Sequence, residues 1–288
     1  MIDGHTQLVG LIGWPVEHSF SPAMHNAAFD ALNLNWRYLP LPVPPGQVEA
    51  AVRGLAALGF RGANVTVPHK QAVIPVLDSL APGARALGAV NTILVDRDEA
   101  GGVTLHGDNT DYRGFVGALC HGGFDPQEKR ALLVGAGGAG RAVAYGLLDA
   151  GATDVLVLDV ADEQAQALIA NLGDDRLRTV SHTTKALIEA AREADLLVNA
   201  TPLGMWPRID GSIWPDDVPV PAHLAVFDLV YNPADTRLLQ QARAAGAHPI
   251  EGLGMLVRQG VAAFEMWTGQ EPPVDIMQAA CQQALGRS

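Results

Sequence analysis

The 288-residue chain has room for about two domains at roughly 150 residues each and is long enough to bury a core without disulfides or structural metals. Hydrophobic residues are 48% of the chain and charged residues 17%, which excludes large-scale disorder. The net charge of −12 excludes the basic footprint that nucleic acid or an anionic membrane requires, so no nucleic-acid or membrane partner is expected.

Cys120 and Cys281 make no CxxC pair, which fits a reducing compartment. Residues 1–5 lack a basic region followed by an apolar core, so no signal peptide is read there. Uncharged stretches such as 38–48 are short and contain proline, and cannot span a bilayer. A soluble, cytoplasmic, two-domain α/β protein is expected.

In chain order, an apolar run predicts a strand over 8–13. A helix follows over 22–32, with Ser21 as its N-cap and Pro22 at its first position. A strand over 36–41 and a helix over 46–58 come next, the helix with Val48, Val52 and Leu55 on one face. Residues 63–67 predict a strand stopped by Pro68, and 71–77 a helix. Strands over 89–95 and 103–106 flank a turn. Such alternation implies a largely parallel, helix-covered sheet. A helix over 111–119 leads away, and Gly122, Gly123 and Pro126 loosen the chain. A second series then runs strand 131–134, glycine turn, helix to 151, strand 155–158, helix 163–172, strand 196–198, strand 225–227, helix 236–245 and strand 248–250. Helices over 255–267 and 274–285 close the chain, and 207–221 reads as a loop.

Gly135-Ala136-Gly137-Gly138-Ala139-Gly140 fits the G-x-G-x-x-G pattern, follows an apolar strand and opens an alanine-rich helix. Gly135 permits the tight turn, Gly137 the approach of a pyrophosphate, and Gly140 close helix–strand packing. Asp159 ends the next strand. It can accept hydrogen bonds from the adenine-ribose hydroxyls of NAD and would repel the 2′-phosphate of NADP. Arg141, early in the helix, is a candidate phosphate partner that keeps NADP open.

Ser19 and Ser21 place two hydroxyls at a strand-to-helix turn, where they can donate to a carboxylate. Thr66 ends a strand and Lys70 follows Pro68, at the edge where ligands enter α/β sheets. His69 rivals Lys70 as an acid/base group. Asn91 can give one hydrogen bond to a vicinal diol and accept another. Asp111 can hold a substrate hydroxyl and orient Lys70, or cap the helix that follows.

Taken together and in order, these motifs resemble the shikimate dehydrogenase family: 19–22, 64–70, 88–92, 107–111, 135–140, Asn199-Ala200-Thr201-Pro202, and 252–256 with Gln259. The resemblance implies a substrate-binding catalytic domain at 1–110 and 252–288, an α/β domain completed by the C-terminal helices. It implies an inserted Rossmann-type, doubly wound dinucleotide domain at 111–251. By matching position, Lys70 and Asp111 are the catalytic pair and Ser19 and Ser21 bind the carboxylate. Thr66, Asn91, Tyr231 and Gln259 make further substrate contacts. Gly135, Ala136, Gly137, Gly138 and Ala139 hold the pyrophosphate, and Thr201, Leu229 and Gly252 line the nicotinamide side. No metal is implied, and the chain is expected as a monomer or homodimer.

The family's NADP-dependent members resemble one another in an Asn-Arg-Thr stretch where this chain has Asp159-Val160-Ala161. That segment resembles NAD-using or dual-specificity relatives, including those that oxidise quinate. At the substrate turn, Ser21 resembles the shikimate-type members. The expected reaction is reversible NAD- or NADP-linked reduction of 3-dehydroshikimate to shikimate, with an NAD-dependent quinate/shikimate dehydrogenase as the alternative.

Overall fold

The structure, a computed structural model, describes residues 2–286. The chain divides into two units: one runs up to Thr110 and resumes at Val257, and the other is Asp111–Leu256.

In the first unit, β1 (Gln7–Gly13), α1 (Ser21–Ala31), β2 (Trp36–Pro42), α2 (Val48–Ala57) and β3 (Gly62–Val65) form the expected alternation. β1 pairs in parallel with β2 and β3. Then the direction changes. β4 (Ser79–Leu80) and α3 (Pro82–Leu87) precede β5 (Thr92–Arg97) and β6 (Val103–Asp108), and β5 runs antiparallel to both β3 and β6. The sheet order is β2-β1-β3-β5-β6-β4. The sheet is therefore mixed and not largely parallel as the alternation suggested. The cause is local. Asp98 and Gly102 close a tight turn, with Gly101 at φ 85°, and two strands joined by so short a loop can only pair as a hairpin.

Other expectations shift similarly. The helix expected over 71–77 is a single 3₁₀ turn, Ile74–Val76, with Pro75 inside it and α2 packed beside it. α1 begins at Ser21 itself with Phe20 as N-cap and no side-chain cap; Ser21 is not the cap. The hydroxyl that serves this turn belongs to Ser19, which accepts from the Ser21 amide at 3.2 Å. α3 was not anticipated, although Pro82 at its start and Gly88 in the left-handed region at its end are ordinary boundary signals.

The second unit begins with α4 (Asp111–His121), then β7 (Arg130–Val134), α5 (Gly138–Asp149), β8 (Asp154–Leu158), α6 (Asp162–Leu172), β9 (Leu177–Thr179), α7 (Thr184–Glu193), β10 (Leu196–Asn199), β11 (Ala225–Asp228), α8 (Arg237–Ala244) and β12 (His248–Glu251). All pairings are parallel, in the order β12-β11-β10-β7-β8-β9. This is the doubly wound Rossmann arrangement, whose strand order reverses between β7 and β10. Alternate residues of each strand feed two cores. Leu133, Val155, Val157, Val198 and Phe227 pack with α4, α5 and α6 on one face, and Leu132, Val134, Leu197 and Val226 with α7 and α8 on the other. β9 and α7 are additions to the sequence reading.

α9 (Leu253–Thr268) carries the chain back to the first unit, and α10 (Val274–Leu285) packs there on α1. In that unit Trp267 donates its indole N–H to the Ile93 carbonyl at 3.0 Å. The Asn26 side chain clasps Tyr38 of β2, accepting from its amide at 2.9 Å and donating to its carbonyl at 3.0 Å. His25 stacks on the Tyr38 ring at 4.5 Å. Among the described residues no helix is long and apolar enough to cross a membrane.

Gly62 lies where strand, strand and indole converge. A Cβ there would sit 2.2 Å from the Ile93 carbonyl oxygen and 2.3 Å from the Trp267 nitrogen. Gly62→Ala is expected to lower stability by about 1–3 kcal/mol, the usual scale of overpacking. A melting curve identical to the parent would refute this packing.

Candidate active site

In the first unit a buried hydrogen-bond network ties the ends of β2, β3, β5 and β6 together. Tyr38 donates from its hydroxyl to Asn64 Oδ1 at 2.9 Å, and Asn64 Nδ2 donates to the Asn91 carbonyl and the Thr92 hydroxyl at 3.2 and 3.0 Å. Asn91 Oδ1 accepts the Thr110 amide at 2.7 Å and the Thr92 hydroxyl at 3.0 Å, while Asn91 Nδ2 donates to Thr110 Oγ1 at 3.0 Å. The oxygen of Asn91 is thus engaged within the protein, and the acceptor half of its expected diol contact is already used. Ser21 is buried at the start of α1 near the Tyr38 phenol, and burial holds that phenol's pKa well above its ordinary value.

Thr66 to Lys70 follow β3 directly. The Thr66 amide donates to the Ile12 carbonyl, and the Lys70 carbonyl accepts the Val90 amide at 2.8 Å. Lys70 is thereby anchored beside the turn that carries Asn91. Its neighbour His69 is buried, and its Nε2 lies 2.6 Å from the Val43 carbonyl oxygen. A carbonyl only accepts, so that nitrogen bears the proton and donates it. Gln259, on α9, is buried in the same unit. Ser19, Ser21, Thr66, Lys70, Asn91 and Gln259 therefore all belong to the first unit, and Asp111 and Tyr231 to the second.

In the second unit the glycine turn follows β7. Gly135 has φ 104°, a conformation that favours glycine. A Cβ on Gly140 would meet the Gly135 carbonyl oxygen at 2.0 Å, so α5 packs against the turn backbone to backbone. A Cβ on Gly137 or Gly138 would meet nothing within 4 Å. α5 has Gly137 as N-cap and no side-chain cap, which leaves its first amides for an anion. Asp159 completes the turn, accepting the Ala136 amide at 2.7 Å and the Ala161 amide at 2.9 Å. A carboxylate with two such bonds keeps lone pairs for further donors.

Beside this turn opens a cleft of ≈ 760 Å³, lined by Gly135, Gly137, Asp159, Gln164, His182 and Thr201 among others. It lies at the β7/β10 reversal, where ligands of this fold bind. Among its described lining residues there is neither lysine nor arginine. Arg141 is not part of the lining, and its Nε is buried without a hydrogen-bond partner. An open cradle at Gly137, uncapped helix amides and a carboxylate bonded to the turn fit a dinucleotide.

The far wall of the cleft rests on Asn199, which the 199–202 motif contains without a role of its own, and on Asp228, which the sequence reading did not single out. Asn199 Oδ1 accepts the Thr201 amide at 3.0 Å and its hydroxyl at 2.7 Å, and Asn199 Nδ2 donates to Asp228 Oδ1 at 2.9 Å. Asp228 also accepts the Val230 amide at 3.0 Å and the Thr236 hydroxyl at 2.7 Å. Burial pushes the Asp228 carboxyl up to about 6, against the pull of these three donors. Leu229 donates its amide to the Asn199 carbonyl at 3.0 Å, and Gly252 packs so near that a Cβ would lie 2.5 Å from the Leu229 carbonyl oxygen. One signal could have led to Asp228. It closes an apolar strand just as Asp159 and Asn199 close theirs.

Comparison with known proteins gives these units a family. Residues 11–93 match the shikimate dehydrogenase substrate binding domain, 120–204 the shikimate / quinate 5-dehydrogenase family, and 252–282 the shikimate 5′-dehydrogenase C-terminal domain. The shikimate dehydrogenase (NADP(+)) of Moorella thermoacetica is 47% identical, over 100% of this chain and 96% of its own. Among solved structures, shikimate 5-dehydrogenase from Listeria monocytogenes, in complex with shikimate and NAD, is 34% identical at a TM-score of 0.90, covering 96% of this chain and 97% of its own. Quinate dehydrogenase from Corynebacterium glutamicum, in complex with NAD, is 34% identical at a TM-score of 0.88, covering 96% and 99%. With a relative so similar end to end, and a fold and a glycine turn of the matching kind, the chain belongs to the shikimate dehydrogenase family, NAD(P)-dependent oxidoreductases acting on an alcohol group.

Proposed function

We propose that this chain reversibly reduces 3-dehydroshikimate to shikimate and uses NAD in preference to NADP. The observation that carries the cofactor preference is Asp159. Its carboxylate lines the cleft beside the glycine turn, and no lysine or arginine among the described lining residues offsets it. A 2′-phosphate there would meet a carboxylate, whereas ribose hydroxyls would donate to it. The Listeria relative holds shikimate and NAD and the Moorella relative is named for NADP(+), so the preference proposed here rests on Asp159.

Residues 1–110 and 252–288 bind the substrate, and 111–251 bind the dinucleotide. Ser19 and Ser21 hold the substrate carboxylate. Thr66, Asn91, Tyr231 and Gln259 take its hydroxyls, with Asn91 acting through its amide nitrogen. The backbone from Gly135 to Ala139 receives the pyrophosphate, Asp159 the adenine ribose, and Thr201, Leu229 and Gly252 face the nicotinamide. When bound, the nicotinamide supplies or accepts the hydride at the substrate C3. Lys70 gives a proton to the C3 oxygen as the carbonyl becomes an alcohol, and takes it back in the reverse direction. Asp111 is its carboxylate partner and holds the neighbouring hydroxyl. His69 is committed through its protonated nitrogen to the Val43 carbonyl, which supports Lys70 as the proton carrier. Two cysteines with no disulfide framework in the sequence fit a cytoplasmic enzyme.

The primary experiment follows formation of reduced nicotinamide with shikimate, using NAD or NADP, and then repeats it with quinate. Turnover with NAD well above that with NADP is expected; the opposite preference would overturn the role of Asp159 and direct attention to Arg141. Quinate turnover equal to that of shikimate would make the chain a dual-substrate enzyme. Asp159→Ala should raise KM for NAD about tenfold, the scale of a lost charge-assisted hydrogen bond, and leave KM for NADP unchanged or lower. Lys70→Ala should lower kcat by roughly 10²-fold or more; a rise in KM at constant kcat would leave Lys70 a binding group only. The glycines separate in the same way. Gly137→Ala should keep the parent melting temperature yet weaken the cofactor by about tenfold, or about 1.4 kcal/mol. Gly140→Ala should lose stability first.

A further inference from the structure

Asp228 and Asn199 are both fully buried at the ends of adjacent strands, and neither belongs to the roles assigned above. The carboxylate sets which way the Asn199 amide faces. With Nδ2 donating to Asp228, Oδ1 must turn to the Thr201 amide and hydroxyl. A reversed amide would bring oxygen against the carboxylate and N–H against N–H, two repulsive contacts in a buried place. Asn199 Nδ2 also lies 3.3 Å from the Leu203 carbonyl, and the Leu203 amide lies 3.2 Å from the Thr201 hydroxyl, so the whole turn after β10 follows this one choice. The second turn is bound to the same atoms. Asp228 Oδ1 accepts the Val230 amide, and the Asn199 carbonyl accepts that of Leu229. Trp206 donates its amide to the Asn232 carbonyl at 2.9 Å and links the two turns further out.

We propose that Asp228 is a positioning residue for the nicotinamide end of the cofactor site: by orienting the Asn199 amide it fixes the Thr201 and Leu229 turns in the one arrangement that aligns the ring for hydride transfer. The proposal rests on the reading that these turns face the nicotinamide. It assigns no contact between Asp228 and any ligand. It separates the two ends of the dinucleotide site. The adenine end depends on Asp159 and the glycine turn, and the nicotinamide end on Asp228.

The test uses the full chain at pH 8, with shikimate and whichever of NAD and NADP it turns over. ADP-ribose, or its 2′-phosphate for NADP, serves as a competitive inhibitor that lacks the nicotinamide. Asp228→Leu keeps the shape and removes both acceptors. It should lower kcat by about tenfold or more, given that misplacement of about 1 Å can be worth 10²-fold, while the inhibitor Ki stays within about twofold. Asp228→Asn can still accept from Asn199 and Val230 and donate to Thr236, so it should restore kcat to within about threefold of the parent. If the leucine variant does not fold, Asp228→Ser, which leaves room for water among the three donors, carries the same expectation. A Ki that rises in step with the loss of kcat, an unchanged kcat in the leucine variant, or an asparagine variant as damaged as leucine each overturns the proposal. A Gly137→Ala variant whose Ki equals the parent's is a different failure: it removes the dinucleotide-site reading itself and this proposal with it.

Discussion

The cofactor half of this protein depends on one backbone-to-backbone approach. α5 comes so near the end of β7 that only hydrogen fits on Gly140 against the Gly135 carbonyl. That contact aims the first amides of α5 at the reversal point of the sheet, leaves the face at Gly137 open, and brings Ala136 within reach of Asp159. Strand order supplies the crevice, but the missing Cβ at Gly140 decides that a helix end and a carboxylate converge in it. Asp159 then does two things at once. It ties β8 to the turn and gives the cleft its negative wall.

The first unit solves a different problem, holding polar side chains rigid around strand ends that are largely buried. It does so with a closed network running from Tyr38 through Asn64, Asn91 and Thr92 to Thr110. A buried polar group left unbonded would cost about 1–3 kcal/mol, so each member constrains the next.

Where the fold was legible, one pattern sufficed. Apolar strand, glycine turn and alanine-rich helix led to β7 and α5, and the terminal Asp159 lines the cleft as its position suggested. The parts that were not legible depend on pairing between distant segments. The strand–turn–strand pattern of 89–106 announces the hairpin of β5 with β6, but nothing within it says that β5 will lie antiparallel to β3, because that pairing is made with a distant segment. Asp228 carries no motif of its own, and Asn64 opens the 64–70 motif without a role assigned there; each is recognisable only once its neighbours are known. His69 stood beside Lys70 as a rival on residue type alone, and its burial against a backbone carbonyl separates the two.

The clasp between Asn26 and Tyr38 has a consequence for assembly. β2 is the outermost strand of its sheet, and its residues alternate between facing β1 and facing outward. Along the outward row, the Trp36 amide is bonded to the Leu34 carbonyl and the Tyr38 amide to Asn26, while Pro40 and Pro42 have no amide hydrogen. That margin therefore offers no donor to an incoming strand. A strand added across β2 would find no amide to accept from, so one asparagine and two prolines disfavour strand-to-strand aggregation at this edge.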